Sequence, residues 1–116
     1  MSWPAYAGGR ISARMTSLDN LLAVLSHPAR RLALSMLRSG GEFCLCELMA
    51  AARVSQPSMS RHMSALKEAG LVLDRRDAQW VRYRRRPLAD AAHEAVIEGV
   101  LAADPGCSVS TQEVAA

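Results

Sequence analysis

The 116-residue chain has no run of about 20 apolar residues, so no membrane-spanning helix is expected. Arg10 and Arg14 lie near the N-terminus, but no apolar signal core follows them, which predicts a cytoplasmic protein. Cysteine is scarce: three residues cannot all pair within one chain, and they are expected as free thiols. There is no phosphate-binding glycine loop, no Ser/His/Asp set and no paired carboxylate site. A Cys-x-x-Cys beside a strand–helix unit is also missing, so a thiol redox enzyme is only a distant alternative. The chain is expected to be no enzyme and to carry no catalytic cofactor.

Half of the residues are apolar, enough for one small core. A chain of this length buries only about two-thirds of its unfolded surface, so it gains from dimerisation. The net charge is +3, and it is uneven. Nine basic residues (Arg53, Arg61, Lys67, Arg75, Arg76, Arg82, Arg84, Arg85 and Arg86) stand against three acids, Glu68, Asp74 and Asp77, between positions 53 and 86. A basic module on an otherwise mildly acidic chain suits a polyanionic partner; a merely solvated charged surface is the alternative.

Residues 1–16 read as an irregular arm, 17–103 as one domain and 104–116 as a flexible tail. Ser17 or Asp19 caps a helix with Leu18, Leu21, Leu22 and Leu25 on one face. Pro28 opens a second helix and Gly40-Gly41 ends it. A short third helix is expected from about Cys46 to Arg53. Ser55 caps a fourth, with Pro57 in its first turn, Met59, Met63 and Leu66 inward, and Gly70 at its end. Strands near 71–75 and 80–85 enclose a turn at Asp77-Ala78, and a last helix spans about Leu88 to Ala102. The fold class is mostly α with a small β-hairpin, a dimeric winged helix-turn-helix, whose second helix would enter the DNA major groove.

With the methionines inward, the fourth helix turns Ser58, Arg61, Ser64 and Lys67 outward, with Gln56 and Ser60 at its first turn. Gln56, Ser58, Ser60 and Arg61 are the candidates for base edges, and His62 for a supporting or phosphate contact. In the wing, Arg82, Arg84 and Arg86 fall on one face, as a ribbon along a phosphate backbone. Cys44-Leu45-Cys46 precedes this unit and suggests a switch driven by a thiophilic ion or an oxidant. Within a regular helix the two side chains would diverge by about 200°, so ligation would need this segment held non-helical or its first turn unwound. A helix N-terminus would also lower the thiol pKa.

These motifs resemble those of the ArsR/SmtB family of metal-responsive repressors, and of its arsenic-sensing branch. The resemblance runs from about Leu25 to Ala102. It rests on Leu25-Ser26-His27-Pro28-Ala29-Arg30-Arg31-Leu32, Glu42-Phe43-Cys44-Leu45-Cys46-Glu47-Leu48, Ser55-Gln56-Pro57-Ser58-Met59-Ser60-Arg61-His62, Ala69-Gly70-Leu71-Val72 and Trp80-Val81-Arg82-Tyr83. It implies a homodimer on palindromic double-stranded operator DNA, released when arsenite or antimonite binds Cys44 and Cys46. Met49 stands where the branch places a third thiol. Cys107, in the polar tail, is the other candidate third ligand; water, hydroxide or an added thiol would serve otherwise. Asp90, His93 and Glu94 lack the spacing of the family's acid–histidine metal site and read as a solvated face. A thiol-based regulator sensing zinc, cadmium or oxidants is the alternative function.

Overall fold

The computed structural model describes residues 17–107. Helix α1 (Leu18–Val24) starts where the Ser17 hydroxyl accepts from the Asn20 amide at 3.1 Å. Helix α2 (Pro28–Leu37) has Pro28 in its first turn, where a missing N–H costs nothing. Strand β1 (Glu42–Cys44) leads without a loop into helix α3 (Leu45–Ala52). Helix α4 (Gln56–Glu68) is capped by Ser55, whose hydroxyl accepts from the Ser58 amide. Strands β2 (Val72–Asp77) and β3 (Trp80–Arg85) form the wing, and helix α5 (Ala91–Ala103) closes the domain.

The helical order matches the expectation, and the architecture is a winged helix-turn-helix. The start of the last helix differs for a local reason. Helix α5 begins at Ala91 rather than near Leu88, because the Asp90 carboxylate accepts from the Ala92 and His93 amides and fixes the first turn there. Strand β1 was not expected. It makes the sheet three-stranded, in the order β1-β3-β2, and pairs antiparallel with β3: Glu42 opposite Arg84, Phe43 opposite Tyr83 and Cys44 opposite Arg82.

One core joins every helix. Leu21, Leu34, Leu37, Leu48, Met59, Met63, Leu66, Leu71, Ile97 and Leu101 are fully buried. The Met59, Met63 and Leu66 stripe lies inward as its spacing requires, which leaves the other side of α4 to solvent. The tail departs from expectation. Residues 105–107 form a helical turn, and Cys107 is buried in the core. Asp104, the C-cap of α5, holds Arg31 of α2 at 2.6 Å and anchors that turn, so the compact domain extends past 103. Arg31 keeps the Asp104 carboxyl below its usual range.

The wing turn carries a local cost. Asp77 pairs with Trp80, so Ala78 and Gln79 form a two-residue loop, and Ala78 has φ +56°. A side chain in this left-handed region costs about 1 kcal/mol, and a turn with positive φ at its first central residue favours glycine. Ala78→Gly is expected to stabilise the domain by about 0.5–1 kcal/mol, measured as a higher urea midpoint with an unchanged m-value.

Candidate DNA interface and thiol site

The outer side of α4 carries the residues picked from sequence. Gln56, Arg61 and Ser64 are exposed, and Ser58 and Ser60 are half-buried at the helix start. Lys67 lies at the other end, tied to Asp74 of β2 at 3.1 Å. His62 flanks this surface: its Nδ1 accepts from Arg30 Nε at 3.0 Å, and its ring lies 5.5 Å from that of His27. Burial first, then the charges of Arg30, His27 and Arg61, push the His62 pKa down.

The wing arginines are held more tightly than a solvated ribbon. Arg75 and Arg82 stand opposite each other on β2 and β3, where like charges repel. Two acids bridge them: Glu42 takes Arg75 at 2.5 Å, and Asp77 takes Arg82 at 3.1 Å. These bonds place Arg82 above its usual pKa, chiefly through Asp77. Arg86 donates to the Gly70 carbonyl, and Arg85 pairs with Glu94 at 2.7 Å. Arg84 is half-buried. Arg53 and Arg76 are exposed, one between α3 and α4 and the other next to the wing turn. Both belong to the basic module counted from the sequence.

The thiols meet. Cys44 Sγ lies 2.6 Å from Cys46 Sγ. The segment is held non-helical at Cys44, the first of the two arrangements that ligation by both thiols requires. Cys44 ends β1 with φ −82° and ψ 164°, and serves as the N-cap of α3. Its sulfur accepts from the Glu47 amide while the Glu47 carboxylate accepts from the Cys44 amide at 2.9 Å, a capping box with sulfur in place of a hydroxyl. The pair therefore forms with α3 intact, and no unwinding is needed to bring the sulfurs together. Cys44 is buried and Cys46 exposed, which gives access from one side. The expected lowering of the thiol pKa is reversed at Cys44: burial, then the hydrogen bond with Cys46, push it up despite the helix N-terminus.

Cys107 does not join the pair. It is buried beneath α2, its thiol directed at the Arg31 carbonyl at 3.6 Å, and burial raises its pKa. Among the described residues, no three His, Cys, Asp or Glu side chains gather as a metal site. Met49 is half-buried against the core. Asp90 and Glu94 have structural roles, Asp90 capping α5 and Glu94 accepting from Arg85 and the Leu88 amide.

The chain is similar to known proteins. The family model described as "Bacterial regulatory protein, arsR family" matches residues 27–73. The chain is 36% identical over 104 residues to the arsenic resistance transcriptional regulator ArsR1 of Pseudomonas putida, covering 90% of this chain and 80% of that one. It is 48% identical over 81 residues to ArsR2 of the same organism, covering 69% and 70%. Among solved structures, the transcriptional repressor BigR of Xylella fastidiosa superposes with a TM-score of 0.57 at 32% identity, covering 72% of this chain and 81% of that one.

Proposed function

Because the chain belongs to the arsR family of bacterial regulatory proteins, we propose that it represses an arsenic-resistance operon and leaves the operator when trivalent arsenic or antimony binds Cys44 and Cys46. That it is a DNA-binding transcriptional repressor follows from its family. The observation that carries the finer reading is the 2.6 Å contact between the two sulfurs, at the junction of β1 and α3. Helix α3 is joined to the DNA-reading helix α4 by a short turn, so a change at its N-cap acts on the reader. A ligand releases DNA only as far as it binds the off-DNA shape better.

The chemistry favours arsenic over zinc or cadmium. Neutral arsenous acid condenses with two neutral thiols, forming two As–S bonds and releasing two waters, with no net proton. A divalent cation needs thiolates and must expel protons, and the raised pKa of Cys44 opposes that. A third position on arsenic is left to hydroxide or an added thiol, since Cys107 lies in the core.

In the assembly we propose, two copies pair through α1 and α5. Leu18 and Leu22 are about half exposed on α1, and Ala92, Ala95 and Ala102 are exposed on α5. The dimer sets two α4 helices about 34–36 Å apart, one turn of DNA. Gln56, Ser58, Ser60 and Arg61 read bases, while Ser64, Lys67 and the wing residues Arg82, Arg84 and Arg86 follow the backbone. Among the described residues no helix is long and apolar enough to cross a membrane.

The test is fluorescence anisotropy with the promoter DNA of its own operon. Arsenite and antimonite are expected to weaken binding by about 5–150-fold, the usual range of allosteric coupling. Release by zinc, cadmium or peroxide alone would assign the thiols to that other signal.

A further inference from the structure

The cluster of Arg30, His27 and His62 carries a charge that no carboxylate among the described residues answers. Arg31, Arg38, Arg75, Arg82 and Arg85 each pair with a carboxylate. Arg30, also half-buried, instead donates to an imidazole and to the Val24 carbonyl. Burial lowers its pKa, which means its charge is partly stripped of water without an acid to replace it. The groups facing His62 are Arg30 and His27 from α2 and its N-cap, and Arg61 from its own helix, all basic. Among the described residues no carboxylate forms an ion pair with Arg30, His27, His62 or Arg61. A partly desolvated cation is normally paired. Here the position beside the reading helix is open to an anion from outside.

We propose that Arg30, His27 and His62 seat one backbone phosphate of bound DNA, and that His62 takes up a proton when the seat is filled. This rests on the reading of the chain as a DNA-bound repressor and adds a proton to its binding equilibrium. In the free protein His62 Nδ1 is occupied as an acceptor, so the neutral ring has its proton on Nε2. Protonating Nδ1 there would break the bond from Arg30 and set cation against cation. A phosphodiester oxygen between them reverses the balance. It accepts from Arg30 and from a doubly protonated imidazole, and its negative charge favours the imidazolium. By linkage, a group whose pKa rises on binding tightens binding as pH falls through that interval. The phosphate carries no base identity, so operator and unrelated duplex share the effect.

The chain has three histidines, which makes the assignment clean. Operator affinity would be measured by anisotropy at constant ionic strength between about pH 8 and about pH 6. Proton uptake would be counted by calorimetry in buffers of different ionisation enthalpy. The wild-type protein is expected to bind about 3–10-fold tighter at the lower pH, with uptake approaching one proton per subunit. His27→Gln and His62→Gln should each flatten that dependence. His93→Gln, on α5, should keep it. Arg30→Gln should reduce the salt slope by about one phosphate contact. His27 is exposed, so its variant tests the proposal even if the His62 variant folds poorly. DNA binding with no net proton uptake, or a pH dependence unchanged in both the His27 and His62 variants, overturns the seat. A wild-type protein that binds no operator at any pH would instead overturn the functional reading beneath it.

Discussion

Replacing Cys44 or Cys46 with serine is expected to abolish release by arsenite while leaving operator affinity near wild type. The fold explains why the two effects separate. Cys44 is the N-cap of α3, and serine is among the preferred residues at that position. Cys44→Ser therefore keeps the acceptor for the Glu47 amide and keeps α3 in place. Cys46 is exposed, so its serine variant disturbs no packing. Neither residue lies on the outer side of α4. The ratio of operator dissociation constants with and without arsenite, about 5–150 in the wild type, should fall to one in each variant. Anisotropy titrations measure it. A Cys44→Ser/Cys46→Ser protein still released at the wild-type arsenite concentration would sink the proposal. Cys107→Ser separates the third thiol: with its sulfur directed into the core, its loss should leave the ratio intact.

The largest expected loss of stability comes from the core that supports the reader. Leu34 on α2 is completely buried, among side chains from several elements. Leu34→Ala should cost about 2–5 kcal/mol, combining lost transfer energy with a residual cavity. For a domain of this size that lowers Tm by roughly 10 °C or more. Leu22 is the contrast: it is chemically identical, one helix away, and 46% exposed. Leu22→Ala should change monomer stability little and instead weaken self-association. Sedimentation and thermal unfolding at several concentrations distinguish the two. A Leu22 variant as destabilised as the Leu34 variant, with unchanged sedimentation, would remove Leu22 from the dimer contact.

Much of the architecture was legible in the chain because its determinants are local. Ser17 and Ser55 cap the helices that follow them, Pro28 and Pro57 lie in first turns, and Gly40 and Gly70 take positive φ values after α2 and α4. The Met59, Met63 and Leu66 spacing set the buried side of α4 and so its exposed one. Strand β1 was not legible. Three residues are too few for an alternation signal, and the strand exists through its pairing with β3, far along the chain.

The amino-acid sequence by itself determined the helix–hairpin order and the basic module, and it singled out Cys44 and Cys46 as the candidate thiol pair. Tertiary structure alone decided how those side chains are used. Pairing with β3 holds Cys44 extended, and that non-helical backbone state brings the two thiols into contact at 2.6 Å. The Arg31–Asp104 ion pair folds the end of α5 back and draws Cys107 into the core, where composition alone suggested a polar tail. Glu42 and Asp77 neutralise wing arginines that read in sequence as a bare ribbon, while Arg30 is left with a histidine for its partner. The division has one physical cause. Caps, turns and periodicity act over a few residues and are written in order along the chain, whereas burial and ion pairing depend on residues that only folding brings together.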